Sequence, residues 1–142
     1  MNDVNDEDRL REAIELLYFG YRNFTAGADR ILKRRGLNRV HHRILYFVGR
    51  NDGDSVGALL NILAISKQAL NAPLRTLVKM QLITNEPAPF DRRVKQLRLT
   101  VHGRRLEQRL SNTQMQRLAR VFDTAGSPAE AGWRKVMRAM RD

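Results

Sequence analysis

The chain contains no cysteine, which removes disulfide bonds, thiolate metal ligands and thiol redox sensing together. A reducing compartment is the expected setting. No apolar run approaches the roughly 20 residues that span a bilayer, and the longest candidate, 58–65, is interrupted by Asn61. The opening residues include Asp3, Asp6, Glu7, Asp8, Glu12 and Glu15 rather than the basic and apolar regions of a signal peptide. A cytoplasmic protein without a membrane role is therefore expected. The chain also lacks a glycine-rich phosphate loop and any cluster of carboxylates with histidines, so neither an enzyme nor a cofactor is expected.

What the chain does have is positive charge. It carries 26 Lys and Arg against 15 Asp and Glu, a net +11 over 142 residues, and such a surplus favours a polyanionic partner. Nucleic acid and an anionic surface both fit that sum. The charge is concentrated: between Lys67 and Arg109 ten basic residues face only Glu86, Asp91 and Glu107, as a binding footprint would require. Only one aromatic residue, Phe90, lies in that stretch, too few for stacking on single-stranded bases. A hydrophobic content of 42% is enough for one domain of this length to build a core.

Apolar residues Leu10, Ile14, Leu17, Tyr21, Phe24, Ala28 and Ile31 recur every three or four positions and predict a long first helix from Asp6 to about Lys33. Gly36 suits the left-handed residue that closes it, and Asn38 can cap a second helix whose inner face is Ile44, Leu45, Phe47 and Val48. After a break at 51–53, Asp54 or Ser55 can cap a short third helix with Val56, Leu59, Leu60 and Leu63 inside. Ser66 then caps a fourth, with Leu70, Leu74, Leu77 and Val78 buried and Lys67, Gln68, Asn71, Arg75 and Lys79 outside. Two helices joined by so short a turn form a helix-turn-helix pattern.

Residues 82–84 and 96–100 predict two short strands. The segment between them holds Pro87, Pro89, Arg92 and Arg93 without an Asn-Gly type pair, and predicts a broad wing loop rather than a tight hairpin turn. Thr100 can cap a fifth helix carrying Leu106, Leu110, Leu118, Val121 and Phe122. A break at 124–127 precedes a capping box in which Ser127 is the cap, Pro128 the first helical residue and Glu130 the reciprocal partner. Trp133, Val136, Met137 and Met140 then make one apolar stripe.

In this order of elements, the run Asp91-Arg92-Arg93-Val94-Lys95-Gln96-Leu97-Arg98-Leu99-Thr100-Val101-His102-Gly103 resembles the multiple antibiotic resistance regulator (MarR) family. Asp91 and Arg93 fall where that family has a wing-tip Asp-x-Arg pair, and Leu99, Thr100 and Gly103 where it has Leu-Thr-x-x-Gly entering the next helix. The element order covers nearly the whole chain, and the motif evidence lies in 66–103. The fold class implied is mainly α with a small β-wing: a winged helix-turn-helix over 38–100 with dimerisation helices over 6–36 and 101–142, all within one domain. The function implied is a homodimeric repressor on a pseudo-palindromic DNA operator, released by a small aromatic or anionic effector. The alternative, motivated by charge alone, is a non-specific nucleic-acid-binding protein of architectural or RNA-binding type.

Individual residues fit those roles by chemistry. Arg75, Gln68 and Asn71 are of the types that read guanine or adenine edges in a major groove, while Lys67, Thr76 and Lys79 suit phosphates. In the wing, Arg93 suits a narrow minor groove, with Asp91 holding it by paired hydrogen bonds, and Arg92 and Lys95 suit phosphates. Ser66 would serve both as helix cap and as phosphate donor. The resemblance implies an effector pocket, for which Tyr18, Tyr21, Arg22 and Tyr46 are candidates. It also implies a dimer contact, for which Leu10, Ile14, Leu17, Trp133, Val136, Met137 and Met140 are candidates.

Two features call for separate expectations. Pro73 lies inside the predicted fourth helix, where a missing amide should kink the helix or cost about 3 kcal/mol. His41 and His42 are adjacent, so they point to different faces and cannot ligate one metal as an i, i+4 pair does. Ordinary surface or core imidazoles are expected there.

Overall fold

The computed structural model describes residues 3–142. The elements run α1 Asp3–Arg34, α2 Arg39–Arg50, α3 Val56–Leu63, α4 Lys67–Lys79, β1 Ile83–Ala88, β2 Asp91–Leu99, α5 Val101–Ala125 and α6 Ser127–Arg141. They fall into two compact units, Ala28–Ser111 and the pair Met1–Gly27 with Asn112–Asp142.

Unit Ala28–Ser111 is organised by its helix ends. At the close of α1 the Leu37 amide donates to the Leu32 carbonyl at 2.9 Å and the Gly36 amide to Lys33 at 3.1 Å. Those are the two bonds of a Schellman motif, made possible by the positive φ of +70° at Gly36. Asn38 then caps α2, its Oδ1 accepting from the Val40 amide at 3.0 Å, and His41 Nδ1 reciprocates by accepting from the Asn38 amide at 3.0 Å. His41 is thus a capping residue, a use its type did not advertise. Ser55, not Asp54, caps α3, with Oγ 3.0 Å from the Ala58 amide, and Ser66 caps α4 through the Ala69 amide at 3.1 Å.

Pro73 lies inside α4, and one expectation for this helix, the burial of Val78, needs correction. The helix runs through Pro73 without a break over 13 residues. The carbonyl of Ala69 loses its amide partner, but Ala69 is exposed, and water can satisfy that oxygen. Val78 does not join the buried side with Leu70, Leu74 and Leu77 but is 37% exposed. With Leu74 and Leu77 directed inward, Val78 lies one residue beyond the buried stripe.

The hairpin is also tighter than expected. β1 and β2 are longer than the predicted strands and pair antiparallel from Ile83 with Leu99 up to Ala88 with Asp91, so that only Pro89 and Phe90 turn the chain. Pro89 fixes its own φ, which makes a short turn possible without an Asn-Gly pair. The register slips between Pro87, which pairs with Lys95, and Ala88, which pairs with Asp91. Arg92, Arg93 and Val94 are thereby left without partners and bulge from the ladder.

A third stretch completes the sheet. The Gly53 amide donates to Leu97 O at 2.9 Å, the Leu97 amide donates to Asp54 O at 3.0 Å, and Ser55 bridges Gln96. The segment that reads as a break after α2 therefore lies along the second edge of β2. Behind this sheet and the helices is a core that includes Leu32, Ile44, Leu45, Leu59, Leu70, Leu77, Leu82, Ile83, Leu97, Leu106 and Leu110. The start of α5 is pinned to it by Thr100, whose Oγ1 accepts from the Gly103 amide at 3.0 Å and donates to Gln81 O at 2.6 Å.

In the unit of Met1–Gly27 and Asn112–Asp142, α6 buries no residue. Its cap differs from expectation: Gly126, at φ +94°, is the N-cap, and no side chain bonds to the helix end. Ser127 is already helical, because glycine can take the left-handed turn that a serine cap would have to avoid. Glu130 pairs with Arg134 at 3.4 Å. Trp133 packs on Phe122 with ring centroids 5.2 Å apart.

Candidate nucleic-acid interface

Two groups of cations stand out on unit Ala28–Ser111. The first is the outer side of α4, where Lys67, Gln68, Asn71, Arg75 and Lys79 are all exposed. The helix presents them because Leu70, Leu74 and Leu77 occupy the opposite face. Ser66 Oγ spends a lone pair on the Ala69 amide, so its proton stays available to an incoming oxygen. Thr76 is different: its hydroxyl donates to the Ala72 carbonyl at 3.1 Å. In this rotamer it has no proton left for a phosphate.

The second group is the tip of the hairpin. Arg93 donates from Nε to Asp91 Oδ1 at 3.2 Å and from Nη2 to Oδ2 at 3.3 Å, while its own backbone amide reaches Oδ1 at 3.0 Å. One carboxylate therefore fixes both the bulged backbone and the guanidinium above it. The Arg93 side chain nevertheless remains 91% exposed. The hydrogen bonds from the Arg93 side chain, and then from its amide, hold the Asp91 carboxyl below the usual carboxylate range. Arg92 and Lys95 are exposed on the same strand.

Further basic residues lie on β2 and at the start of α5. Arg98 pairs with Asp52 at 2.7 Å, which ties β2 to the α2–α3 connection. Arg104 and Arg105 are exposed in the first turns of α5. Neither was singled out from sequence as a site residue, since a charge run on a helix looks like any solvated face.

The remaining candidates lie on other elements. Tyr18, Tyr21 and Arg22 occupy successive turns of α1 in the unit containing Met1–Gly27, and all are exposed. The Arg22 guanidinium lies 4.8 Å from the centre of the Phe19 ring. Tyr46 is on α2 in the other unit. Leu10, Ile14, Leu17, Trp133, Val136 and Met140 are all exposed, Ile14 to 67% and Met140 to 61%, whereas Met137 is half-buried.

His41 and His42 are both buried, and burial lowers the pKa of each. For His42 the nearby Glu107 and Asp29 carboxylates oppose that effect and Arg43 adds to it. A neutral His41 is what its role demands, because Nδ1 must accept the Asn38 amide. Among the described residues no group of three or more His, Cys, Asp and Glu side chains is placed to hold a metal ion.

Comparison with known proteins agrees with this architecture. The MarR family model matches residues 35–94. The HTH-type transcriptional regulator PetP of Rhodobacter capsulatus is 40% identical over 136 residues, covering 96% of this chain and 82% of that protein. The crystal structure of a MarR family transcription regulator aligns over 97% of this chain and 91% of its own, with 24% identity and a TM-score of 0.79. FabT of Streptococcus pneumoniae, solved in complex with DNA, aligns over 93% of this chain and 94% of its own, with 16% identity and a TM-score of 0.83.

Proposed function

Since this chain belongs to the MarR family of transcription regulators, we propose that it binds double-stranded DNA sequence-specifically as a homodimer and acts as a repressor. The observation that carries this reading is the hairpin tip. Arg93 is almost fully exposed yet held by three hydrogen bonds to one carboxylate, an arrangement that costs little further ordering on entering a narrow minor groove. Gln68, Asn71 and Arg75 supply groups able to read base edges, and Lys67, Lys79, Arg92 and Lys95 supply phosphate contacts. The protein would work in the cytoplasm, on an operator of two half-sites about 10 base pairs apart.

The dimer reading is supported by the unit of Met1–Gly27 and Asn112–Asp142, in which α6 buries nothing of its own although Trp133, Val136 and Met140 form a stripe. A second copy of the chain would cover that surface. Release by a small aromatic or anionic effector follows the family, and the exposed Tyr18, Tyr21 and Arg22 on α1 are the candidates to receive it. Titration of a selected duplex and its scrambled counterpart at one salt concentration tests the central reading. A large preference for the selected duplex is expected, and equal affinity would remove sequence-specific regulation from the account.

A further inference from the structure

The hairpin tip carries a residue that its cations do not explain. Phe90 is 77% exposed, more than any other large hydrophobic side chain described, and makes no ring or cation contact among the described residues. The other strongly exposed apolar residues of α1 and α6 come in sets along a helix face. Phe90 stands alone at the turn, between Pro89 and the charged run Asp91-Arg92-Arg93.

Its mounting is firm. Ala88, the last paired residue of β1, is 1% exposed and anchors the base of the turn opposite Asp91. Pro89 restricts the backbone immediately before the ring, and Asp91, immediately after it, is fixed by its bonds to Arg93. The ring therefore projects from a rigid two-residue turn, with the Arg92 and Arg93 cations within three residues of it.

We infer that Phe90 is an apolar wedge that enters the minor groove beside Arg93 and makes affinity depend on how easily the base step beneath the wing unstacks. The inference rests on the DNA-binding reading above and adds a second kind of recognition to it. Arg93 would respond to groove potential, whereas Phe90 would respond to deformability. Apolar side chains inserted from the minor groove partly unstack base steps, and pyrimidine–purine steps yield most easily. The Arg92 and Arg93 cations that follow it supply the attraction that holds an apolar ring against a polyanion.

The test compares wild type with Phe90→Ala, Phe90→Leu and Arg93→Ala on duplexes selected by the wild-type protein from a random pool, with 2-aminopurine at the wing-contacted step. Phe90→Ala should weaken binding about tenfold with an unchanged slope of affinity against salt, since no phosphate contact is lost. It should also abolish the 2-aminopurine fluorescence rise, which Phe90→Leu should partly retain. Replacing a pyrimidine–purine step under the wing by a stiff A-tract step should weaken wild type more than Phe90→Ala. If Phe90→Ala binds within about twofold of wild type and the fluorescence response is the same, the wedge is overturned while the DNA-binding reading stands. If wild type selects no duplex, the DNA-binding reading falls and the wedge falls with it. Because the ring touches no aromatic or cationic neighbour, the variants should melt with wild type, and circular dichroism checks this.

Discussion

A Cβ placed on Gly103 would lie 1.9 Å from the carbonyl oxygen of Leu82. The first turn of α5 crosses the backbone that leads into β1 at a distance only a hydrogen can tolerate. The same crossing receives the Thr100 amide, 3.0 Å from that carbonyl, and the Thr100 hydroxyl bond to Gln81. Thr100 and Gly103 thus act together, the first clamping the helix to the strand entry and the second making room for it. Gly103→Ala should destabilise unit Ala28–Ser111 by about 3 kcal/mol, since backbone, unlike a flexible side chain, cannot step aside. Urea unfolding measures this, and a loss under about 0.5 kcal/mol would show that the crossing relaxes.

Removing Asp91 separates orientation from charge. Asp91→Ala frees the Arg93 side chain and also takes a negative charge away from the interface, so affinity for scrambled DNA should rise slightly while affinity for the selected duplex falls. The ratio of the two affinities should drop by about tenfold. Thermal stability should change little, because the pair is exposed. An unchanged ratio would leave Asp91 without a part in recognition.

The contact surface assigned to a second copy can be tested by charge. Val136→Glu and Met140→Glu place carboxylates on a stripe that is 60% and 61% exposed in the single chain, so the fold of one chain should tolerate them. Sedimentation should show wild type as a dimer and the double variant as a monomer. A monomeric wild type would remove the homodimer from the account, and a double variant that still dimerises would move the interface elsewhere.

Pro73 makes a prediction about stability. Pro73→Ala restores the amide that Ala69 O lacks and removes a ring from the helix interior, a gain of about 3 kcal/mol in an ideal helix. It also loosens the unfolded chain, which offsets about 1 kcal/mol. The variant should therefore be about 2 kcal/mol more stable, read from urea midpoints. Equal stability would mean that the surroundings of α4 already compensate for the proline.

Acid should loosen the protein before its carboxylates titrate. Both buried histidines have pKa values below the ordinary 6.5, so the unfolded chain takes up protons at a pH where the folded chain does not. Stability is full above about 6.5 and is lost as pH falls through the lowered folded values. Urea midpoints should be flat from about pH 8 to 7 and fall toward pH 5. His41→Gln, which keeps an acceptor for the Asn38 amide but does not titrate, should fall less steeply. A rising midpoint on acidification would reverse the assignment.

The order of the elements and the helix-turn-helix were legible in the sequence because they depend on local signals: spacing of leucines, the caps Asn38, Ser55 and Ser66, and Gly36 at a helix end. What escaped was decided by long-range pairing. The Gly53–Ser55 stretch reads as a break because its composition is that of a turn, and only its pairing with β2 makes it part of a sheet. The tight turn at Pro89 and Phe90 depended on a register slip that no local pattern encodes. Ser127 lost its expected cap to Gly126 because a glycine one residue earlier could take a positive φ. At the candidate site, residue type was readable from the string. The use of the Thr76 proton by Ala72, and the exposure that sets Phe90 apart, are set by the folded chain and not by residue type.

The edge pairing of Gly53 and Asp54 with Leu97 has a mechanical consequence for the wing. Around Leu97, β2 is held on both sides, by β1 and by this short stretch. Beyond Lys95 it is held on one side only, and the ladder is interrupted there as well. The hairpin is therefore a cantilever, rooted in the core at Leu97 and Leu99 and loaded at its free end. Any force on the tip acts through a lever arm whose fulcrum lies against the connection between α2 and α3.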